Sequence, residues 1–105
     1  MTFTLADQAQ ALALAARLAV LHPSLPAAGL GVSHHADAPA LDLCFLDAPA
    51  AVEAWREALH VPLAEMTCTQ RDDGRLTVQF EATVDGVLVR AFTILSNKQP
   101  EGVAA

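Results

Sequence analysis

Apolar residues at helical spacing mark the first segment of the chain. Residues 4–22 are rich in Leu and Ala and also contain Gln and Arg, all of which are strong helix formers. Thr4 and Asp7 have the three-residue separation of a capping box, with Asp in place of the usual Glu, and Pro23 stops the helix. The apolar stripe of this helix consists of Leu14, Leu18 and Leu21, with Leu5 and Leu12 flanking it.

The same spacing returns in a second segment. Asp47 is a good N-cap residue, Pro49 is tolerated in the first turn, and Pro62 ends the helix. Trp55 belongs to the apolar stripe, so we predict that it is a core residue rather than a binding residue. Arg56 lies beside it on the exposed side and is a candidate interface residue. The stripe consists of Val52, Trp55 and Leu59.

The rest of the pattern is typical of strands, in which apolar and polar residues alternate. Turn sequences separate the strands: residues 36–39 contain Asp and Pro, residues 71–75 contain Asp-Asp-Gly, and Asp85-Gly86 is a two-residue turn of the type I′ kind. The predicted strands are residues 30–35, 41–46, 64–70, 76–84 and 87–95.

These elements predict an α+β fold in a single domain. Their order is α-β-β-α-β-β-β, and we expect a mainly antiparallel sheet with two helices packed on one face. The chain has 105 residues, a length that suits one domain with one core. Residues 1–95 form the predicted domain. Residues 96–105 contain Asn, Pro and Gly and are predicted to be a flexible C-terminal tail.

The turn at Asp85-Gly86 fixes which side chains of the last two strands share a face. The face that carries Phe80 and Val89 is the core side. On the opposite face, Arg90 is expected to form an exposed cross-strand ion pair with Glu81. Three large apolar residues accompany Arg90 there, and we call the whole set the sheet-face stripe: Leu88, Arg90, Phe92 and Ile94.

An exposed apolar stripe of this kind usually marks a contact with something else. A homodimer through the sheet face is the simplest such contact, and the sheet-face stripe is then its interface. The alternative is that the first helix or the chain ends cover the stripe within the monomer. The pattern leaves both alternatives open.

The two cysteines lie in separate segments, and neither belongs to a CxxC pair. A three-residue loop at Asp72–Gly74 pairs Cys68 with Val78 and buries Cys68, whereas a two-residue loop buries Thr67 and Thr69 instead. We favour the first register. Free core thiols in a reducing cytosol are therefore expected, with one disulfide between neighbouring strands as the alternative. The cysteines are Cys44 and Cys68.

The formal charge of −6, with six Lys and Arg residues in all, argues against direct binding of nucleic acid. The acidity fits a solubilising surface, a basic protein partner, or mimicry of nucleic acid. The first segment is too short and too polar for a membrane span, and the N-terminus lacks the basic region of a secretory signal. We therefore expect a cytoplasmic protein that binds neither nucleic acid nor membrane.

Residues that could carry chemistry are few and poorly spaced. His34 and His35 are adjacent on a predicted strand, so they point to opposite faces and cannot chelate one metal together. A metal site that joins one of them to Cys44 or Asp42, or a nucleophilic pair of Cys44 with a His, is the remaining alternative. No catalytic, cofactor-binding or metal-binding residue is predicted.

Two short motifs resemble known sequences. Residues 51–59 contain EAWREAL, which resembles a helix of small uncharacterised proteins of high-GC actinobacteria, their phages and their integrative elements. Residues 83–92 contain DGVLVR, which resembles the ending of the same proteins. The match covers roughly the second half of the chain. It implies a phage or mobile-element setting and no established activity.

These observations lead to three hypotheses about the function, given in order of preference. The first is a non-catalytic protein-interaction module that forms a homodimer. The second is a small acidic phage or mobile-element inhibitor of a host defence system, of the anti-CRISPR or anti-restriction type. The third is a metal-binding protein or a Cys/His enzyme.

Overall fold

The computed structural model describes residues 4–35 and 38–95. Its elements follow the predicted order α-β-β-α-β-β-β, with short 3₁₀ turns at Ala6–Gln8 and Leu63–Glu65. The two helices and five strands are α1 (Ala9–Leu21), β1 (Gly29–His35), β2 (Ala38–Leu46), α2 (Pro49–Ala58), β3 (Thr67–Gln70), β4 (Leu76–Val84) and β5 (Val87–Leu95). Within these residues, no helix is long and apolar enough to cross a membrane.

The five strands form one sheet in the order β1-β2-β5-β4-β3. The hairpin pairings β1–β2, β3–β4 and β4–β5 are antiparallel, and β2 pairs with β5 in parallel. The sheet is therefore mixed, with the last strand inserted at its centre. The predicted α+β fold is confirmed, and the parallel pair at the centre is the feature that the pattern of hairpins did not indicate.

Both helices pack on the same face of the sheet, as predicted. The residues that α1 buries are Ala11, Leu14 and Leu18, and those that α2 buries are Ala51, Val52 and Trp55. They meet an aliphatic and aromatic sheet surface that consists of Leu41, Leu43, Phe45, Phe80, Val87, Val89 and Ala91. This face is the hydrophobic core of the domain.

The predicted capping box forms, but it precedes the 3₁₀ turn Ala6–Gln8, and α1 itself begins at Ala9 rather than at Thr4. The backbone N–H of Thr4 donates to Asp7 Oδ2 at 2.8 Å, and the N–H of Asp7 donates to Thr4 Oγ1 at 3.3 Å. The backbone and side-chain hydrogen bonds from Thr4 lower the pKa of Asp7. The predicted stripe is wrong at its edges, however, because Leu5, Leu12 and Leu21 are exposed.

The second helix begins one residue later than predicted. Ala48, and not Asp47, occupies the N-cap position, and Asp47 has a left-handed backbone with φ of 48°. The N–H of Ala48 donates to the Thr93 hydroxyl at 3.0 Å, and that hydroxyl donates to the carbonyl of Phe45 at 3.0 Å. A buried side chain of β5 therefore supplies the hydrogen bonds that join β2 to α2.

We expect Thr93→Val to destabilise the fold, because Thr93 is completely buried and its hydroxyl bridges two backbone groups. Valine keeps the shape of the side chain but leaves a donor and an acceptor without this partner. The expected loss in the free energy of unfolding is about 1–3 kcal/mol, measured by urea denaturation. Thr83→Val, at an exposed position of β4, is the matched control. Equal stability of the two variants would contradict this role.

Trp55 is a core residue, as predicted. Its side chain is 8% exposed, and its ring lies 6.5 Å from that of Phe45, measured between centroids. Its indole N–H donates to the carbonyl of Pro26 at 2.9 Å. The indole therefore ties α2 to the loop that follows α1.

Several predicted boundaries differ from the observed ones. Ala38 and Pro39 belong to β2 rather than to a turn, and the other two residues of that predicted turn lie outside the described ranges. β3 begins at Thr67 because a 3₁₀ turn occupies Leu63–Glu65. The Asp85-Gly86 turn has the expected positive φ at both residues, 52° and 81°. The predicted tail at residues 96–105 lies outside the described residues.

Candidate interaction surface

The face of the sheet opposite the helices is the candidate functional surface, and we call it the open face. Strand pairing places Asp42 of β2, Arg90 of β5 and Glu81 of β4 side by side on it. Within the described residues both helices lie on the other side, so α1 does not cover the sheet-face stripe. The other alternative is that the chain ends cover the stripe. The C-terminal segment, residues 96–105, lies outside the described residues.

The predicted register of the last hairpin is confirmed. Gln79 lies opposite Phe92, Glu81 opposite Arg90, and all of the sheet-face stripe shares one face. Leu88, Phe92 and Ile94 are partly buried by their neighbours on the sheet. The structure therefore brings together all four residues that the sequence assigned to an interface.

Arg90 forms its ion pair with a different carboxylate from the one predicted. Its Nε lies 2.8 Å from Asp42 Oδ1, and the Ser33 hydroxyl donates to Asp42 Oδ2 at 3.0 Å. The predicted partner Glu81 occupies the register position on the other side of Arg90. The parallel pairing of β2 with β5 supplies the competing carboxylate, and no local sequence pattern reveals that pairing.

The apolar part of the open face is wider than predicted. Parallel pairing places Cys44 beside Phe92 and Leu46 beside Ile94, both on this face. Leu46 is 91% exposed, the largest exposure among the exposed large hydrophobic residues. Sequence reasoning missed both residues because it treated β2 as the partner of β1 alone.

A groove of about 540 Å³ runs across the open face on the β3–β4 side of the stripe. One side of it is polar and the other is formed by the aromatic and aliphatic residues of β5. Its principal lining side chains are Thr69, Arg71, Gln79, Glu81, Arg90, Phe92 and Ile94. The lining combines aromatic and aliphatic side chains with hydrogen-bonding and charged ones.

The expectation of core thiols is wrong for both cysteines, which are free and exposed. The predicted pairing of Cys68 with Val78 is confirmed, so Cys68 lies on the helix side of the sheet. It is exposed nonetheless, since β3 is an edge strand whose four residues are all exposed. Cys44 lies on the open face, which no described helix covers.

Strand register separates His34 from the other residues of the metal and Cys/His alternatives. Cys44 pairs with Gly29, whereas His34 pairs with Pro39 at the far end of the same hairpin. Five residue positions, about 17 Å at the strand rise, lie between them. Asp42 is closer in sequence but lies on the opposite face from His34. The described ranges contain no group of three His, Cys, Asp or Glu residues arranged to hold a metal ion.

Arg56 is engaged within the domain. It forms an ion pair with Glu53, and its Nε donates to Glu53 Oε1 at 2.8 Å. Its Nη1 donates to the carbonyl of Val61 at 2.6 Å. The carboxylate of Glu53, through its hydrogen bonds, raises the pKa of Arg56. These contacts hold the side chain against the end of α2, so it is not among the interface candidates.

In comparisons with known proteins, no family model, curated protein or solved structure matches the chain.

Proposed function

We propose that this chain is a non-catalytic protein-interaction module that forms a homodimer through the open face. The observation that carries the proposal is the broad apolar surface on that face, from Leu46 of β2 to Phe92 and Ile94 of β5. Apolar residues that lie together on one open face of a small domain are typical of contact sites. We further propose that it acts in the cytoplasm, where its two exposed thiols stay reduced.

The composition of the open face supports a protein partner. Interfaces combine an apolar centre with a polar rim, and aromatic and Arg residues contribute most to their affinity. Phe92 and Arg90 have these properties and lie on adjacent positions of the same groove. The Asp42 carboxylate holds the Nε of Arg90, which limits the side-chain entropy that binding has to remove.

A second copy is the partner whose charges complement those of the open face. Two sheets pack face to face about 10 Å apart, with their side chains interdigitated. A two-fold axis through the groove brings Arg90 of each copy towards the exposed Glu81 of the other. Arg90 lies between Leu88 and Phe92 on the stripe, so the homodimer pairs unlike charges within a largely apolar surface.

The experiment is a comparison of molecular mass in solution, by light scattering, for the wild type and Phe92→Asp. We expect the variant to have half the wild-type mass at the same micromolar concentration, because a carboxylate on the stripe loses its hydration in the interface. Leu63→Asp is the matched control, since Leu63 is 67% exposed and lies off the sheet in a 3₁₀ turn. Equal masses of the wild type and Phe92→Asp refute the homodimer through this face.

The acidic inhibitor of host defence is the second candidate, and the net charge of −6 favours it. Its partner is a nucleic-acid-binding protein of a restriction or CRISPR system. The discriminating experiment is capture from a host lysate with wild-type and Phe92→Asp baits. Recovery of such a nuclease complex by the wild type alone supports the inhibitor; recovery of the bait protein alone supports the homodimer.

A further inference from the structure

A pocket of about 230 Å³ opens on the helix side of the sheet. It is lined by the C-terminal half of α1, the loop 23–28, strands β1 and β2, and Trp55 of α2. Leu41, Leu43 and Trp55 are core residues. Leu30 pairs with Leu43 and shares its face of the sheet, but it is 61% exposed. The lining therefore extends from the core to the solvent.

Small side chains on α1 leave this space open. Ala15 and Ala19 are four residues apart, so they lie on the same side of the helix as the core residue Leu18, and all three line the pocket. β1 is an edge strand, and Leu30 lies on it beyond the core. The pocket thus forms where two alanines of α1 approach the edge of the sheet, and larger side chains at these positions would occupy it.

The polar groups at the pocket are engaged within the domain, with one exception. The Trp55 indole N–H donates to the carbonyl of Pro26 at 2.9 Å, and the N–H of Leu25 donates to the carbonyl of His22 at 3.1 Å. Pro23 and Pro26 have no N–H to offer. The exception is the imidazole of His22, which is partly buried and has no hydrogen-bond or ion-pair partner among the described residues.

We infer that this pocket binds a small neutral aromatic molecule with one hydroxyl group, which forms a hydrogen bond with the His22 imidazole. The volume sets the size of the ligand, because a cavity of about 150 Å³ can bind benzene and pockets for drug-sized ligands begin at about 300 Å³. The indole of Trp55 favours an aromatic ring, since aromatic pairs gain more than their area burial. A neutral imidazole can both donate to and accept from a hydroxyl group.

Charge favours a neutral ligand over an ionised one. An anion would approach a chain with a formal charge of −6, and the described lining contains no Lys or Arg to neutralise it. The same lining contains no Asp or Glu, so a cation would lose its hydration without gaining a counter-charge. The pocket lies on the opposite side of the sheet from the open face, so this inference stands independently of the proposed function.

The test is an NMR titration of the wild type with para-fluorophenol, observed at the indole N–H resonance of Trp55. The chain has one tryptophan, and its side chain lines the pocket, so this resonance reports on the proposed site. We expect a saturable shift with a dissociation constant on the order of 0.1–1 mM, because a ligand of one ring forms few contacts.

Two variants on α1 locate the binding. Ala19→Phe places a ring in the pocket and is expected to abolish the saturable shift. Ala19 is exposed, so this variant keeps the fold, which circular dichroism checks. Ala16→Phe is the matched control, since it makes the same change at an exposed position of the same helix that does not line the pocket. We expect it to bind para-fluorophenol as the wild type does.

A third variant tests the hydrogen bond. His22→Leu is expected to bind para-fluorophenol about two- to tenfold more weakly than the wild type, the usual contribution of one hydrogen bond. Its affinity for fluorobenzene, which has no hydroxyl group, is expected to stay the same. An equal change for both ligands, or no change for either, overturns the hydroxylated ligand.

Two other results overturn the site itself. One is a wild type that shows no saturable shift with millimolar para-fluorophenol, and the other is equal binding by the wild type and Ala19→Phe. None of these readouts depends on molecular mass. Failure of the pocket and failure of the homodimer through the open face are therefore distinguished.

Discussion

Phe80→Ala is expected to lower the free energy of unfolding by about 3–5 kcal/mol, which is the usual cost of removing a buried phenyl ring. Phe80 is 1% exposed and lies at the centre of the sheet, opposite Ala91 of β5. The small Ala91 side chain cannot fill the space that the ring vacates, so a cavity remains between β4 and the helices. The expected loss is a large fraction of the stability of a domain of this size.

The measurement is urea denaturation followed by the fluorescence of Trp55, the one tryptophan of the chain. Phe92→Ala is the matched control, because it removes the same ring from the neighbouring strand on the opposite face. Phe92 is partly exposed on the open face, so we expect its loss to cost about 1 kcal/mol. A Phe92→Ala cost as large as that of Phe80→Ala would show that the open face is covered, by a second copy or within the monomer.

Trp55→Ala is the second large effect that we expect, with a cost of about 3–5 kcal/mol. The indole packs beside Phe45 and contacts the small apolar pocket between α1, the loop after it and the sheet. Its N–H bond to the carbonyl of Pro26 is lost at the same time. Since α2 buries only small residues besides Trp55 and Val52, no large neighbour on the helix compensates. Circular dichroism follows the unfolding, since this variant has no tryptophan.

Trp55→Phe divides this cost into its two parts. The variant keeps an aromatic ring in the core but cannot donate to the Pro26 carbonyl. We expect it to lose about 1 kcal/mol for the hydrogen bond, together with a smaller packing loss. If Trp55→Phe is as unstable as Trp55→Ala, the bond to the loop, and not the ring, dominates the contribution of Trp55.

Local sequence information predicts the hairpins of this fold well. The residues of the β4–β5 turn favour positive φ, and that turn fixes every pair of side chains across the two strands. The capping box at Thr4 and Asp7 is equally local and is confirmed. In each case a few adjacent residues contain the physical cause, so the sequence alone is enough.

The features that the sequence did not reveal depend on residues distant in the chain. Arg90 pairs with Asp42 across 48 residues, through a strand pairing that no turn specifies. Burial is also non-local: Cys68 has the predicted register but lies on an edge strand beyond the helices. The hydrogen bond at the N-terminus of α2 comes from Thr93, which is adjacent in the fold but 45 residues away along the chain, and so Asp47 was a wrong prediction for the cap. The exposed outer side of α1 likewise emerges only once its buried side is known.

The central position of β5 has a consequence for the order of events during folding. β1 and β2 form one hairpin and β3 and β4 another, but these two hairpins have no strand pairing with each other until β5 inserts between them. On the ribosome, β5 emerges after all four of these strands. Until then, the edges of β2 and β4 that β5 will contact have no strand partner. Contacts of such long sequence separation form slowly, and unpaired edges recruit other chains. Synthesis therefore contains an interval in which the inner edges of β2 and β4 are open to pairing with other chains, and this is the stage at which the chain is most prone to aggregate.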